Sequence, residues 1–500
     1  MTVFEKNIAV IRQRCPEIAH ALLRAPHGTM YKGAETAKTG EPVPVFISGK
    51  ALHSLYDPAK EAGRLLPSPS GFMLFCGLGS GIHITVFLSR YPDAVCAITE
   101  ADYPSFKQLL SLIDYSSILS DTRVRLLPPC TEAAFMPALV HSYIPALHGT
   151  FGTHILRPWH EYFTVQTAAL PGTIEQALEN IKADFSVQAH FGKIWLRNIM
   201  LNLRTAASIQ PEYPAADTGR TAVILGAGPS LNQILPSFIK HRSRYCIFCT
   251  DTVLPVLCAR NIIPDFFVAI DPQHISYLHT IGRIPQEITG IFDLCTNTAA
   301  VRRFYTNGNR IFFTAGEHPL VQEAARLSPF PVLRTGSGTV AVAAYHAAQS
   351  LGFRQIECSG MDFAYTNGTA YTPGTYLSQL YAAGSSRVMP QETAFVRLMF
   401  RSPVYRVQTE TGLTYRTALL DSYRESFEAE KKQYVPWRYE DFKTFPYNDF
   451  CKHLSSNIHD TAAPLPYSML PFLAWCTLHG EEKFTAAQLV SELISEYTNL

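Results

Sequence analysis

Thr221-Ala-Val-Ile-Leu-Gly-Ala-Gly-Pro-Ser-Leu231, and the later run from Thr335-Gly-Ser-Gly338 to Cys358-Ser-Gly-Met-Asp-Phe-Ala-Tyr365, decide how this chain is read. Each is an apolar run that breaks into glycine. That is the pattern of a buried strand entering a turn where main-chain N–H groups can approach an anion with no Cβ in the way. Alone, Gly226-Ala-Gly-Pro-Ser230 is a weak signal, because Gly-x-Gly after an apolar strand also marks structural strand-to-helix turns. The second run strengthens it. Thr335, Gly336, Ser337 and Gly338 open an apolar helix from Thr339 to Leu351, followed by a strand from Gln355 to Cys358 and the turn Ser359-Gly-Met-Asp-Phe363. Two such turns in one parallel sheet define a crevice at helix N-termini, where a phosphate-bearing ligand such as a nucleotide sugar would fit.

Between the two runs the pattern alternates strand and helix: Ala222 to Leu225, Leu231 to His241, Tyr245 to Thr250, Val253 to Arg260, then Phe266 to Ile270 ending in Asp271-Pro-Gln. This alternation predicts a doubly wound parallel sheet, with ligands at the carboxyl ends of its strands. Asp251, Asp271, the glycines of 336–338, Gly360 and Asp362 all follow strands or open the next helix, so they are expected on one rim.

Upstream, an amphipathic helix over Phe4 to Leu23 and extended pieces around Pro42 to Ile47 precede Gly71-Phe-Met-Leu-Phe-Cys-Gly-Leu-Gly-Ser-Gly81. A helix from Ile82 to Arg90 and a strand from Ala94 to Thr99 follow. Glu100 then stands about 20 residues beyond the glycine turn, the spacing of a Rossmann unit whose acid accepts from ribose hydroxyls. The turn either binds a nucleoside, as in an S-adenosylmethionine-dependent methyltransferase, or survives as a fold feature. Thr173-Ile-Glu-Gln176 reads as a capping box opening a helix that continues to Leu203, on which Asn198 and Asn202 bond either substrate or neighbouring loops. The expected organisation is α/β throughout. It comprises a Rossmann-like N-terminal domain over 1–170, a helical linker over 171–215, a central doubly wound domain over 216–400, and a helical region over 401–500. Thr417 to Lys432 and Ala486 to Tyr497 are the clearest C-terminal helices, and the aromatic stretch Tyr434 to Tyr447 either packs under a loop, the default, or forms an acceptor-docking surface.

Composition excludes several classes. With 500 residues, 47% of them hydrophobic and 17% charged, the chain is long enough for two or three buried cores and is not a disordered one. A net charge of +1 argues against a dedicated nucleic-acid binder. Met1-Thr-Val-Phe-Glu-Lys-Asn lacks a signal-peptide pattern, and no stretch offers about 18 uninterrupted apolar residues. The nearest, Thr461 to Leu478, is interrupted by Pro464, Pro466 and Pro471. The 11 cysteines are scattered and often lie within apolar strands, which points to reduced thiols and a cytoplasmic location. Cys246-Ile-Phe-Cys249 has redox-like spacing but sits in a strand pattern.

The run Arg334-Thr-Gly-Ser-Gly-Thr-Val through Leu351-Gly-Phe, then Ser359-Gly-Met-Asp-Phe and Asn367-Gly-Thr-Ala-Tyr371, resembles the bacterial CMP-sialic acid sialyltransferases. Those enzymes also carry a Gly-x-Gly-Pro-Ser-Leu turn like the one ending at Leu231. The wider arrangement resembles the motility-associated-factor glycosyltransferases, which attach nonulosonic acids to flagellin and have a Rossmann-like N-terminal domain. The resemblance covers roughly 216 to 400. It implies a CMP-activated nonulosonic acid as donor and serine or threonine of flagellin as acceptor. Cytidine would lie near Asp251, Asp271 and Ser337, with phosphate near Gly226, Gly228, Pro229 and Ser230. Tyr371 and Tyr365 would donate hydrogen bonds to the leaving phosphate, and Asp362 would hold the turn, bond ligand hydroxyls or act as base.

Two departures bear on mechanism. The sialyltransferases place a catalytic histidine beyond the Asn-Gly-x-x-Tyr motif, whereas Thr372 to Lys432 contains none. The base is then Asp362, Asp271, Glu392 or a histidine from elsewhere. There is no Asp-x-Asp pair, which favours a monophosphate donor needing no metal or other cofactor. Three alternatives remain open: a pterin-type pyrophosphokinase using ATP and Mg²⁺, resembled at Gly228-Pro-Ser and Ser359-Gly-Met-Asp; the methyltransferase; and a non-catalytic flagellin-binding protein.

Overall fold

Short apolar runs bounded by glycine, proline or aspartate become the strands of two parallel sheets, as expected of segments buried on both faces. The computed structural model describes residues 1–65, 70–214, 216–335, 339–366, 368–409, 412–431, 434–459, 467–480 and 491–492. The chain divides into two units, Met1–Ala189 and His190–Leu500.

In the first unit, β1 (Tyr31–Thr36) and β2 (Pro42–Phe46) form an antiparallel pair. Four parallel strands, β3 (Phe72–Cys76), β4 (Val95–Thr99), β5 (Val124–Leu126) and β6 (Phe151–Ile155), lie in the order β5-β4-β3-β6. All five residues of β3 are buried at the centre of an aromatic-rich core with Phe87, Phe106 and Trp159. The single helix expected over Phe4 to Leu23 is instead two, Val3–Arg14 and Pro16–Arg24. Pro16 has no N–H to continue the ladder and disfavours helical backbone at the preceding Cys15, which takes φ −139° and ψ 70°.

The second unit is built on β7 (Thr221–Leu225), β8 (Tyr245–Thr250), β9 (Phe266–Ala269), β10 (Thr289–Asp293), β11 (Ile311–Thr314) and β12 (Ile356–Ser359), ordered β11-β10-β9-β8-β7-β12 and parallel throughout. The chain works outward from β7 to β11 and then returns to lay β12 on β7's free edge. The direction of winding therefore reverses between β7 and β12, which places a topological switch point between the two glycine turns. Strands β10 and β11 lie outside the sequence reading, because apolar runs of four or five residues carry no periodicity that separates strand from buried helix.

The helical expectation beyond 400 holds only in part. β13 (Tyr365–Thr366), β14 (Tyr405–Thr409) and β15 (Gly412–Arg416) form a small antiparallel sheet ordered β13-β15-β14 before the helices Ala418–Glu430, Tyr447–His459 and Leu470–Leu478. Trp437 and Phe442, from the aromatic stretch, pack into the core of the six-stranded sheet, and the Trp437 indole donates to the Val332 carbonyl at 2.8 Å. The helix Leu170–Ala207 stops short of the expected linker end. Its Asn198 amide bonds the Pro272 and Cys295 carbonyls and its Asn202 amide those of Leu294 and Thr296, so both asparagines serve neighbouring loops. Of the helix expected over Ala486 to Tyr497, only 491–492 are described. No described helix is long and apolar enough to cross a membrane.

Candidate functional site

At the switch point the two turns are packed onto one another. The Gly226 N–H donates to the Ser359 carbonyl at 2.9 Å and the Gly228 N–H to the Gly360 carbonyl at 2.7 Å. A Cβ on Gly226 or Gly228 would meet the Gly360 carbonyl, and one on Gly360, whose φ is +68°, would run into the Gly226 carbonyl. The glycines are thus required by close backbone approach between β7 and β12. Asp362 completes the joint. One carboxylate oxygen accepts the Ser230 N–H at 2.9 Å and the other accepts the Ser230 hydroxyl. This corrects the expectation that Gly226, Gly228 and Ser230 offer free N–H groups to a phosphate, since all three N–H groups already have acceptors within the protein. Pro229 has no N–H to offer. Gly360→Ala is expected to destabilise the second unit by about 2–4 kcal/mol through left-handed strain and overpacking, read as a lowered urea midpoint.

The other candidates assemble on the same rim. Asp251 follows β8 and is buried, with one oxygen accepting the Thr252 N–H at 2.7 Å and the Thr252 hydroxyl at 3.1 Å. Asp271 follows β9 and accepts the Gln273 N–H at 2.8 Å. Burial pushes Asp271 up to about 6, a shift that the Gln273 N–H opposes and the nearby Asp251 charge reinforces. Tyr371 lies within electrostatic reach of Tyr365, Arg401, Asp251 and Tyr381. Burial raises its phenol above the ordinary value, so it stays a neutral donor at physiological pH. Tyr365 is raised by burial, against the opposing charge of Arg401. Thr335 is partly buried, whereas Gly336, Ser337, Gly338 and Asn367 lie outside the described residues.

Two members of this cluster escaped the sequence reading. Tyr376, which opens the helix Tyr376–Ala383, lies within electrostatic reach of Tyr371, Asp251 and Asp271. The buried His279 sets its ring edge-on to Tyr376 with centroids 4.4 Å apart. Burial lowers the His279 imidazole, Asp251 opposes that, and its Nδ1 has no hydrogen-bond partner. A histidine thus reaches the cluster from a loop that no local motif marks. A cavity of about 430 Å³ opens on the other side of the 364–373 segment, lined by Ser230, Asp362, Thr366, Thr369, Thr414 and Arg416 among others. A second cavity, of about 400 Å³, lies at the amino ends of β9 to β11, the wrong end of the sheet for this chemistry. Among the described residues, no three His, Cys, Asp or Glu side chains are placed to hold a metal ion.

The N-terminal glycine turn is filled by the protein itself. Glu100 accepts the Leu78 N–H at 2.6 Å and the Trp159 indole N–H at 2.7 Å, and burial raises it to about 7 against those bonds. Trp159 is fully buried against Gly77, and the Tyr115 hydroxyl donates to the Gly79 carbonyl at 2.5 Å. The ribose-binding reading of Glu100 therefore gives way to the fold-feature reading. Cys246 and Cys249 are buried free thiols, both raised by burial and Cys246 to about 12, as suits a strand core.

Residues 195–368 match the family described as 6-hydroxymethylpterin diphosphokinase MptE-like. An uncharacterized protein of Treponema pallidum (strain Nichols) is 36% identical over 275 residues, covering 54% of this chain and 98% of that protein. A second from the same organism is 43% identical over 167 residues, covering 33% of this chain and 80% of its own length. Among solved structures, the Maf glycosyltransferase from Magnetospirillum magneticum AMB-1 superposes with a TM-score of 0.53 at 13% identity, covering 99% of this chain and 94% of that one.

Proposed function

The chain belongs to one family with those Treponema pallidum proteins, and we propose that it is a cytoplasmic glycosyltransferase that moves a nonulosonic acid from its CMP-activated form to serine or threonine of flagellin. The observation that carries this reading is the convergence of Asp251, Asp271, Tyr365 and Tyr371 at the carboxyl ends of a doubly wound sheet. The likeness in fold to the Maf glycosyltransferase supports the transfer class. The donor and acceptor come from the motif resemblance.

Transfer breaks the bond between the sugar's anomeric carbon and the phosphate oxygen, and the electron pair leaves with CMP. Hydrogen bonds from the Tyr371 and Tyr365 hydroxyls to that phosphate strengthen as its charge grows, so they favour the transition state over the ground state. The acceptor oxygen forms the new bond and its proton needs a base within hydrogen-bond reach. Asp362 has both oxygens engaged by Ser230, and Glu392 is exposed on the helix Gln391–Met399. Asp271 fits the role best: it lies within electrostatic reach of Asp251 and Tyr376, and with a value near 6 it is ionised at neutral pH yet basic enough to take a proton. His279 then positions Tyr376.

The family match over 195–368 favours one second reading, a diphosphokinase acting on a pterin alcohol with ATP and Mg²⁺. Calorimetric titration separates the two. Saturable binding of CMP, with no response to ATP–Mg²⁺ or S-adenosylmethionine, is the expected result. ATP–Mg²⁺ binding without cytidine nucleotide affinity would replace the transferase with the diphosphokinase.

A further inference from the structure

One face of the small antiparallel sheet carries Tyr365. On β13 that tyrosine stands opposite Tyr415 of β15, and Tyr415 stands opposite Arg406 of β14, so the three side chains share the face. The segment just after the helix Gln391–Met399 is pinned there, because the Phe400 ring sets edge-on against Tyr415 with centroids 5.8 Å apart. The next residue, Arg401, lies within electrostatic reach of both Tyr365 and Tyr371. The two arginines beside this face differ in what they already hold. The Arg406 guanidinium lies over the Tyr415 ring, 5.9 Å from its centroid. Arg401 is exposed, and among the described residues no carboxylate is placed to pair with it. Tyr371 also feels Asp251, which raises its phenol where Arg401 lowers it.

We propose that Arg401 is the cation that meets the leaving phosphate. This rests on the transferase reading above, and it adds a residue outside every motif that led to that reading. The donor's phosphodiester carries one negative charge. When its bond to the anomeric carbon breaks, the electron pair stays on the phosphate oxygen and leaves a monoester that carries a second. The phenols of Tyr365 and Tyr371 can donate hydrogen bonds to that oxygen but, being neutral, leave the new charge uncompensated. A guanidinium keeps its charge at any physiological pH and spans two phosphate oxygens with parallel N–H donors. An arginine with no carboxylate partner gives up no ion pair on turning to the phosphate, and its reach to both tyrosines puts it beside the atoms where charge grows.

The test is titration of the full chain and its Arg401→Gln and Arg406→Gln variants with cytidine and with CMP at pH 8, where the CMP phosphate is doubly charged like the departing group. Arg401→Gln should weaken CMP by about 10-fold, the loss of one charge-assisted contact, while cytidine stays within about twofold. Arg406→Gln should leave both ligands within about twofold, because that guanidinium is held on Tyr415. At pH 5, where the phosphate carries a single charge, the gap in CMP affinity between wild type and Arg401→Gln should shrink, a dependence that a structural role would not produce. Arg401→Lys, which keeps the charge but loses the fork, should fall between wild type and Arg401→Gln for CMP alone. Equal weakening of cytidine and CMP would make Arg401 structural, equal effects at the two arginines would make it part of a diffuse field, and unchanged CMP affinity would remove it from the phosphate; each overturns the assignment. Wild-type protein that binds neither ligand would sink the transferase reading itself, whereas intact CMP binding with no effect at Arg401 would sink this inference alone. Arg401 is exposed and holds no carboxylate, so its variants should fold.

Discussion

Replacing Tyr371 by phenylalanine is expected to lower turnover by about 10²- to 10³-fold, the usual loss when one preorganised donor to a developing oxyanion is removed. The affinity for CMP should change by less than about threefold, because the hydroxyl's bond to the phosphate matters most when the sugar has begun to leave. Steady-state kinetics with a CMP-sugar donor, together with direct titration of CMP, separates the two effects: a fall in kcat with KM nearly constant marks a transition-state donor. Tyr371 can serve because its surroundings keep the phenol protonated, burial raising it and Tyr365, Asp251 and Tyr381 adding to that against Arg401. The ring itself is partly buried, and phenylalanine keeps the packing, so stability should barely move. Turnover unchanged in the variant would remove Tyr371 from the chemistry and shift attention to Tyr376, which also lies near Asp251 and Tyr381.

The frame around that tyrosine was legible in the sequence to the extent that local patterns carried it. Glycine after an apolar run announced the turns following β7 and β12, and the alternation of runs announced a parallel sheet. The resemblance to motility-associated-factor proteins holds at the level of fold, through the superposition on the Maf glycosyltransferase. What failed was each inference whose outcome depended on a distant partner. The N–H groups of Gly226 and Gly228 looked free because their acceptors, Ser359 and Gly360, arrive from the neighbouring strand β12, far away in sequence. Glu100 stood at the spacing of a ribose ligand, yet the indole of Trp159 reaches across to take its carboxylate. His279 lies in no motif, and only the convergence of loops brings it to Tyr376. Local sequence reports where a backbone will turn, while tertiary contacts decide which of its polar groups remain available.

Asp271 offers the largest expected effect, because a base cannot be replaced by a neighbour whose oxygens are already engaged. Asp271→Asn keeps the size and the acceptor for the Gln273 N–H but removes proton affinity. Turnover should fall by about 10²- to 10⁴-fold, the range for loss of a general base. The pH profile gives a second readout. With the carboxyl raised to about 6, kcat in the wild type should climb with pH through that value and level off above it, since only the ionised form accepts a proton. In the variant that acidic limb should vanish. Stability should move the other way. The folded protein holds this carboxyl above its unfolded value, so burying the charge costs nothing below the ordinary carboxylate range of about 3.9. The cost grows as pH rises and is complete above about 6. Asp271→Asn should therefore melt higher than wild type at pH 8, with the difference fading at pH 4. Lost activity combined with gained stability marks a charge that the fold tolerates for function, whereas a structural aspartate would lose both. An Asp271→Asn enzyme that keeps both its turnover and its acidic limb would exclude Asp271 as the base and make the buried imidazole of His279 the next group to replace.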